Sequence, residues 1–282
     1  MVDIPYRREM EFSYGTAAQL APGIRRVIAN NPSAFTFHGT GTYILGSGQV
    51  AIIDPGPNDE THIDAVLDAL DGEEVSHILV THTHTDHSPG CRLLQAKTGA
   101  PTYAYGPHGA GKMEQGVQVE EGGDMDFDPD HLVKHGDIIR GKDWTVECVY
   151  TPGHTSNHLC FALQEQKALF TGDHVMGWST SIISPPDGDM AAYMDSLQLL
   201  LDRDDEVYWP THGPSIIDPK THVQAYIDHR LDRERQIIEC IKQGTYHIRE
   251  MVPLMYKDTP EFMYPAAARS VLAAMENLVR NQ

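Results

Sequence analysis

Three histidines and one aspartate follow a short apolar segment in ILVTHTHTDHSPG, residues 78–90. They are His82, His84, Asp86 and His87. Because side chains alternate along an extended strand, positions 82, 84 and 86 share one side of the strand end, and His87 turns to the other. Imidazole and carboxylate ligands together suit zinc, iron or manganese. The motif therefore predicts a metal site at the end of a buried strand.

Three more polar residues follow apolar segments later in the chain. His154 lies in TPGHTSNH, Asp173 in LFTGDH and His212 in YWPTHG, each in a turn that contains glycine. Turns of this kind lie at strand ends, so the fold can bring all three to the edge that holds the first motif. The seven residues offer two neighbouring sites of three or four ligands, with an aspartate able to bridge two ions. They predict a two-metal hydrolase whose nucleophile is a hydroxide between the ions.

Two alternative hypotheses for these seven residues fit the sequence less well. Buried histidines that hydrogen-bond only to the backbone do not account for seven ligand-type residues in matching positions. A non-catalytic scaffold that binds metal would be expected to have lost some ligands, and every ligand is present.

The composition is typical of a cytoplasmic enzyme. At 282 residues the chain is long enough for one large domain, or for one domain with a small appendage. The four cysteines are widely spaced and form no CxxC motif, which predicts reduced thiols rather than a disulfide framework. The N-terminal residues are polar, and no stretch approaches the ~20 apolar residues of a membrane span. We therefore predict a cytoplasmic protein that does not enter a membrane.

The order of predicted elements indicates an α/β fold. Apolar runs between turn residues predict strands in a hairpin at 41–56 and at 76–80, 101–106, 143–154, 159–164, 167–174 and 206–213. Helical spacing of apolar residues predicts helices at 59–70, 90–99 and 189–202, followed by a helical tail. We expect two mixed sheets, with helices outside them and polar residues at the strand ends.

Residues 108–135 have weak periodicity and many glycine and acidic residues. The spacing of Asp124, Asp126 and Asp128 is that of a calcium loop, but proline and histidine occupy the positions that such a loop gives to glycine and to a bidentate glutamate. We therefore predict a solvated acidic loop that overhangs the active site.

The formal charge of −19 lies almost entirely before the tail. Residues 219–282 contain nine Lys or Arg and eight Asp or Glu, so the negative charge belongs to the first 218 residues. A field of this sign repels polyanions but is tolerated around a dication site. The charge favours a small-molecule substrate and disfavours nucleic acid.

With IIDPGP upstream, the histidine and aspartate motifs resemble those of the metallo-β-lactamase superfamily over about residues 20–215. The resemblance implies an αββα sandwich with a site for two ions at the edge between the sheets. We expect a catalytic domain at 1–218, a helical appendage at 219–282, and two zinc ions, with iron or manganese as alternatives.

By matching position, the resemblance also implies a role for each ligand-type residue. One ion would be held by His82, His84 and His154. The other would be held by Asp86, His87 and His212, with Asp173 as the bridge. Asp54 matches an aspartate expected to hydrogen-bond a ligand loop.

The tail resembles the C-terminal region of the beta-lactamase-like protein 2 group, which is a winged-helix-type appendage. A long helix begins near Pro219, two shorter helices follow, and the chain stops where the β-wing would come, so we expect the wing to be missing. The best-known animal members of that group are single-strand endoribonucleases. Phosphodiester hydrolysis is therefore the main alternative function.

The sequence favours hydrolysis of a small ester, thioester, lactone or lactam-like substrate. N-acyl homoserine lactonases of the superfamily have a tyrosine where this chain has Met176, and no clamp-domain insertion separates Asp173 from His212. Asp86 and His174 are the predicted catalytic residues, with His174 contacting substrate or protonating the leaving group.

Three further expectations concern supporting residues and the tail. His158 is expected to support the site or simply to pack. The tail helices have apolar faces that should pack on the parent domain, with a homodimer contact as the alternative. The stretch DHRLDRER, residues 228–235, is interpreted as ion pairs on a solvated helix face.

Overall fold

The computed structural model describes residues 3–109 and 122–280, so residues 110–121 of the predicted acidic loop lie outside the described part. Its strands are β1 (Ala18–Ala21), β2 (Ile24–Ile28), β3 (Gly41–Leu45), β4 (Gln49–Ile53), β5 (Glu74–Leu79), β6 (Thr102–Ala104), β7 (His131–Leu132), β8 (Ile138–Arg140), β9 (Thr145–Tyr150), β10 (Leu159–Leu163), β11 (Ala168–Gly172) and β12 (Val207–Pro210). Its α-helices are α1 (Glu60–Asp68), α2 (Gly90–Thr98), α3 (Met190–Leu201), α4 (Pro219–Lys242), α5 (Ile248–Met255) and α6 (Tyr264–Arg280).

The strands form two mixed sheets, as predicted. The first has the order β1-β2-β3-β4-β5-β6-β7, antiparallel up to β4 and parallel from β4 onwards. The second has the order β12-β11-β10-β9-β8, with only the β11–β12 pair parallel. The predicted hairpin is β3–β4, in which Tyr43 lies opposite Ile53.

Alternation along the strands explains why both faces of each sheet are covered. In β3, Tyr43 and Leu45 pack between the sheets against residues such as Phe161 and Phe170 of the second sheet. Ile44, between them in sequence, packs in the opposite direction with the residues of α1 and α2. The outer face of the second sheet is covered by α3, α4, α5 and α6. The layers are therefore helix, sheet, sheet and helix, as expected.

The tail helices share a hydrophobic cluster with the second sheet. Val223, Tyr226 and Ile237 of α4 are fully buried in the same cluster as Leu197 of α3 and Val271 of α6. Residues 219–280 contain helices and no strand. The boundary at 218/219 stays a prediction, because one continuous core spans it.

Part of the apolar face predicted for the tail helices remains exposed. Ile238 and Ile241 of α4 are 39 % and 38 % exposed. The homodimer contact therefore stays a prediction, while Val223, Tyr226, Ile227 and Ile237 of the same helix pack within the chain. Among the helices of residues 3–109 and 122–280, none combines the length and apolar character needed to cross a bilayer.

Strands β1, β2, β7 and β8 were not predicted, and β7 lies within the segment 108–135 that was predicted to be a loop. Arg25 and Arg26 interrupt the apolar run of β2, and Arg26 is nevertheless buried because its Nη1 donates to Gly213 O at 2.8 Å. One donor of the guanidinium thus bonds a backbone carbonyl of a distant turn, a pairing that local sequence patterns do not reveal.

Candidate metal centre

All seven predicted ligands lie at one edge of the sandwich. The first motif follows β5 and precedes α2, and the other three residues follow β9, β11 and β12. Gly172, with φ +51°, ends β11, and a Cβ at this position would lie 2.6 Å from His158 Nε2. Glycine is needed there because the chain turns tightly beside a buried imidazole. The turn places Asp173 among the histidines.

His82, His84 and His154 form one group of candidate ligands. His84 Nδ1 lies 3.1 Å from both His82 Nε2 and His154 Nε2. Zn–N bonds of about 2.0–2.1 Å in a tetrahedral site put the nitrogens about 3.3 Å apart, close to the spacing observed. His154 Nδ1 donates to Ile182 O at 2.8 Å, so its Nε2 is left with a lone pair for a metal ion.

Asp86, His87 and His212 form the second group. Asp86 Oδ2 lies 3.3 Å from His87 Nε2 and 3.2 Å from His212 Nε2. Thr40 Oγ1 also donates to Asp86 Oδ2 at 3.0 Å, and this bond fixes the orientation of the carboxylate.

Asp173 lies between the two groups. Its Oδ2 is 3.3 Å from His212 Nε2, 3.5 Å from His87 Nε2 and 3.9 Å from His154 Nε2. Asp173 Oδ1 and His87 Nε2 are buried, and neither has a hydrogen-bond partner among the described residues. Unsatisfied buried polar atoms of this kind cost about 1–3 kcal/mol each, and divalent ions would satisfy them. The residues therefore fit metal binding.

The pKa values of the histidines are shifted in opposite directions in the two groups of candidate ligands. Burial lowers the pKa of His82 and His84 well below the ordinary value, so both imidazoles are neutral, as metal ligands must be. Burial opposes the charged form of His212 too, but the carboxylates of Asp173 and Asp86 outweigh it and raise its pKa to about 10. The negative field that holds this proton is equally a field for a dication.

The Asp54 carboxylate hydrogen-bonds His87, a member of the second group. Its backbone adopts φ +49°, and its Oδ1 accepts from Thr81 N at 2.8 Å. Its Oδ2 lies 2.9 Å from His87 Nδ1 and also accepts from the hydroxyls of Thr81 and Thr211. These contacts place the Nδ1 proton of His87 towards Asp54 and leave Nε2 for a metal ion, in keeping with the predicted role.

Replacing Asp54 by alanine is expected to weaken the binding of one ion by about 10- to 100-fold, because the orientation of His87 is lost. Competition titration of zinc against a chromogenic chelator measures this effect. Asp64→Ala, at an exposed aspartate paired with Lys97, is the control and should keep the zinc affinity of wild type. Unchanged zinc affinity in Asp54→Ala would contradict the assigned role.

A cavity of about 390 Å³ adjoins the metal-ligand groups. One part of its wall is formed by His84, Asp86, His154, Asp173 and His212. The remaining wall comes from the N-terminal segment, Ala34 and Phe35, the 176–182 loop and the tail. The tail residues include His229, Arg230, Arg233, Tyr256 and Ser270.

His158 and His174 differ in their contacts. His158 Nδ1 lies 2.9 Å from Thr151 Oγ1, and His158 Nε2 accepts from Asp173 N at 3.3 Å, so this ring supports the Asp173 turn. The ring of His174 is fully buried beside Tyr193, and neither of its nitrogens has a hydrogen-bond partner in the described part of the chain. His174 is not part of the cavity wall, so the geometry gives the predicted substrate contact no support.

The interpretation of DHRLDRER as a solvated face is wrong for two of its arginines. Arg235 is exposed and pairs with Asp232 at 3.2 Å, as interpreted. Arg230 and Arg233 are only 4 % and 8 % exposed and lie in the cavity wall. Their spacing from the buried Tyr226 places them on the apolar stripe of α4, a signal that the sequence contained.

Asp124 contributes to the loop beside the site. It accepts from Ser88 Oγ at 2.9 Å and from Arg92 Nη1 at 3.2 Å, and its backbone N–H donates to Thr83 O. The Asp124 carboxylate and backbone N–H therefore bond residues 83–92 of the protein, and the carboxylate is not arranged as a calcium ligand. The backbone of Gly123 pairs with that of His84 in an isolated antiparallel β-bridge, so the predicted loop borders the site just after residue 121.

The fold and the two adjoining His/Asp groups define a hydrolase domain with clusters suited to divalent metals. The family model of the metallo-beta-lactamase superfamily matches residues 36–212, and that of the beta-lactamase associated winged helix domain matches residues 248–282. The chain belongs to the metallo-β-lactamase superfamily and is a hydrolase of that superfamily with a C-terminal winged-helix domain.

Relatives match nearly the whole chain. A "Beta-lactamase-like protein 2 homolog" of Drosophila melanogaster is 34 % identical, covering 90 % of this chain and 86 % of the relative. An "Atrochrysone carboxyl ACP thioesterase" of Aspergillus chevalieri is 30 % identical, covering 86 % and 76 %. The crystal structure of a beta-lactamase domain protein from Burkholderia ambifaria has a TM-score of 0.79 at 19 % identity, covering 99 % and 92 %, and shares the fold.

Proposed function

We propose that the protein is a dinuclear metal-dependent hydrolase of a small ester, thioester, lactone or lactam-like substrate. The observation that supports this most is the cavity: at about 390 Å³ it falls within the range of about 300–1,000 Å³ typical of small-molecule sites. Its wall includes members of both groups of candidate ligands. The thioesterase name of the Aspergillus chevalieri relative agrees with this substrate class.

We assign one ion to His82, His84 and His154, and a second to Asp86, His87 and His212, with Asp173 between them. Zinc is the proposed metal, with iron or manganese as alternatives, because all the ligands are imidazole or carboxylate. When bound, such ions lower the pKa of a coordinated water and polarise the substrate carbonyl.

The protein residues orient the reactants. Asp86 is proposed to accept the proton of the attacking water at its carboxylate, which Thr40 holds in position. The backbone of Ile182 keeps His154 in the tautomer that binds metal.

All four cysteines are free and buried, in agreement with the cytoplasmic location that we propose.

A hydrolysis panel tests the proposed function. Nitrophenyl esters, an acyl thioester, a lactone and a β-lactam are assayed with zinc-loaded protein before and after treatment with a chelator. We expect hydrolysis of at least one member, loss of that activity on chelation and recovery on adding zinc. Activity that survives removal of all metal would overturn the proposal.

A further inference from the structure

Two arginines of α4 lie in the wall of the cavity that contains the metal-ligand edge. Arg230 donates through Nη2 to Ser181 O, and Ser181 Oγ in turn donates to Asp173 O. Arg233 donates through Nη1 to Met255 O, and its guanidinium carbon lies 3.9 Å from the centre of the Tyr256 ring. The guanidinium carbon of Arg230 lies 5.1 Å from the centre of the Tyr193 ring. Backbone carbonyls and aromatic rings thus hold both guanidinium groups in place.

Neither arginine forms an ion pair with a carboxylate in residues 3–109 or 122–280. The Nε atoms of both are buried and without a hydrogen-bond partner in the same residues. The acidic neighbours on α4 are engaged elsewhere: Asp232 accepts from Arg235 and Gln236, and Glu234 accepts from Asn277.

The surroundings of the pair are positive and partly dehydrated. Burial, together with the charges of Arg230 and Arg233, lowers the pKa of the neighbouring His229 to about 3. His229 also lies in the cavity wall, and its Nδ1 has no partner among the described residues. Besides the two aspartates of the metal-ligand wall, the described cavity wall has one carboxylate, that of the exposed Asp3. Buried charges without a counter-charge are costly, and an anion in the cavity would compensate them.

We propose that Arg230 and Arg233 bind an anionic group of the substrate, a carboxylate or a phosphate, while its hydrolysable bond lies at the metal-ligand wall. Guanidinium groups suit this task because their planar N–H donors match the oxygen atoms of such anions. The inference rests on the proposed hydrolase function and specifies its substrate as an ester or thioester that bears a negative charge.

Two esters with the same leaving group test the proposal in the zinc-loaded full chain: p-nitrophenyl butyrate and mono-p-nitrophenyl glutarate. We expect wild-type kcat/KM to be about 10- to 100-fold higher for the glutarate ester, the range expected for hydrogen bonds between charged groups. In Arg233→Gln and in Arg230→Gln this preference should fall to near one, mainly through KM. Arg235→Gln, which removes an exposed charge of the same helix, should retain it.

The ratio of the two substrates is internal to each protein, so a variant with a smaller folded fraction still gives a valid answer. Arg233→Lys, which keeps the charge but not the planar donors, should show an intermediate preference. A wild-type protein that hydrolyses both esters without preference overturns the proposal. So does a preference that is unchanged in both glutamine variants.

A binding measurement separates this proposal from the hydrolase function itself. Calorimetry compares glutarate, 4-phosphonobutyrate and butyrate with the zinc-loaded protein, and requires no turnover. We expect glutarate or 4-phosphonobutyrate to bind at least about 10-fold more tightly than butyrate in wild type but not in Arg233→Gln. The ligand whose advantage over butyrate is lost in Arg233→Gln shows which anion the arginines accept. Equal binding of all three overturns the anion site, even where the esters are hydrolysed.

Discussion

Replacing His84 by alanine is expected to reduce the zinc content from about two ions per chain to about one and to lower kcat/KM by at least roughly 10²- to 10³-fold. His84 Nδ1 is the atom that faces both other nitrogens of its group, at 3.1 Å from each. Without it, only two histidines of that group remain, fewer than the three protein ligands of a catalytic zinc site. Asp86, His87 and His212 are unchanged, so one ion should stay bound.

Elemental analysis by inductively coupled plasma, on protein reconstituted with zinc and freed of excess metal, measures this loss. His131→Ala is the matched control, because His131 is exposed on β7 and stacks on Tyr103 rather than facing the site. The control should retain two ions and full activity. Two tightly bound ions in His84→Ala, or no bound metal in wild type, would contradict the assignment of the ligands.

The meeting of the seven candidate ligands at one edge was predictable from sequence because the signal is local. Residues 82–87 follow a buried strand directly, and His154, Asp173 and His212 each follow another strand with a glycine in the turn. Strand ends of one sandwich meet at one edge, so seven local signals define one site. The backbone partners of the ligands, such as Ile182, were not predictable, since the hydrogen bond spans 28 residues of sequence.

The arginine pair shows where charge patterning misleads. The sequence 228–235 alternates acidic and basic residues, which favours ion pairing on a solvated face. Spacing alone places Arg230 and Arg233 on the same side of the helix as Tyr226 and Ile237, which are fully buried. The periodicity was the better guide to burial. That the buried side adjoins a cavity depends on the packing of α4 against the 176–182 loop, which no local pattern specifies.

Single-stranded RNA is expected to bind weakly or not at all at ~0.15 M salt, while a small ester or thioester is hydrolysed measurably. The winged-helix match at 248–282 is the feature that favours nucleic acid. Phosphate contacts require accessible cations, and several tail arginines are engaged. Arg230 and Arg233 lie inside the cavity, Arg269 donates to Ser184 Oγ, and Arg280 pairs with Asp189. The first 218 residues add a strongly negative field.

Fluorescence anisotropy with a labelled single-stranded RNA, across a series of salt concentrations, measures this prediction. We expect a dissociation constant no tighter than about 10 μM, within the range of non-specific binding, because few cations are free to displace counterions from the backbone. The same preparation must hydrolyse the best ester of the panel, so that weak binding is not due to inactive protein. Submicromolar affinity with a steep salt dependence, and RNA cleavage that Asp86→Ala abolishes, would favour the ribonuclease function over hydrolysis of a small ester or thioester. The winged-helix tail would then be the part that brings RNA to the metal centre, and the cavity would accept a nucleotide rather than a small ester.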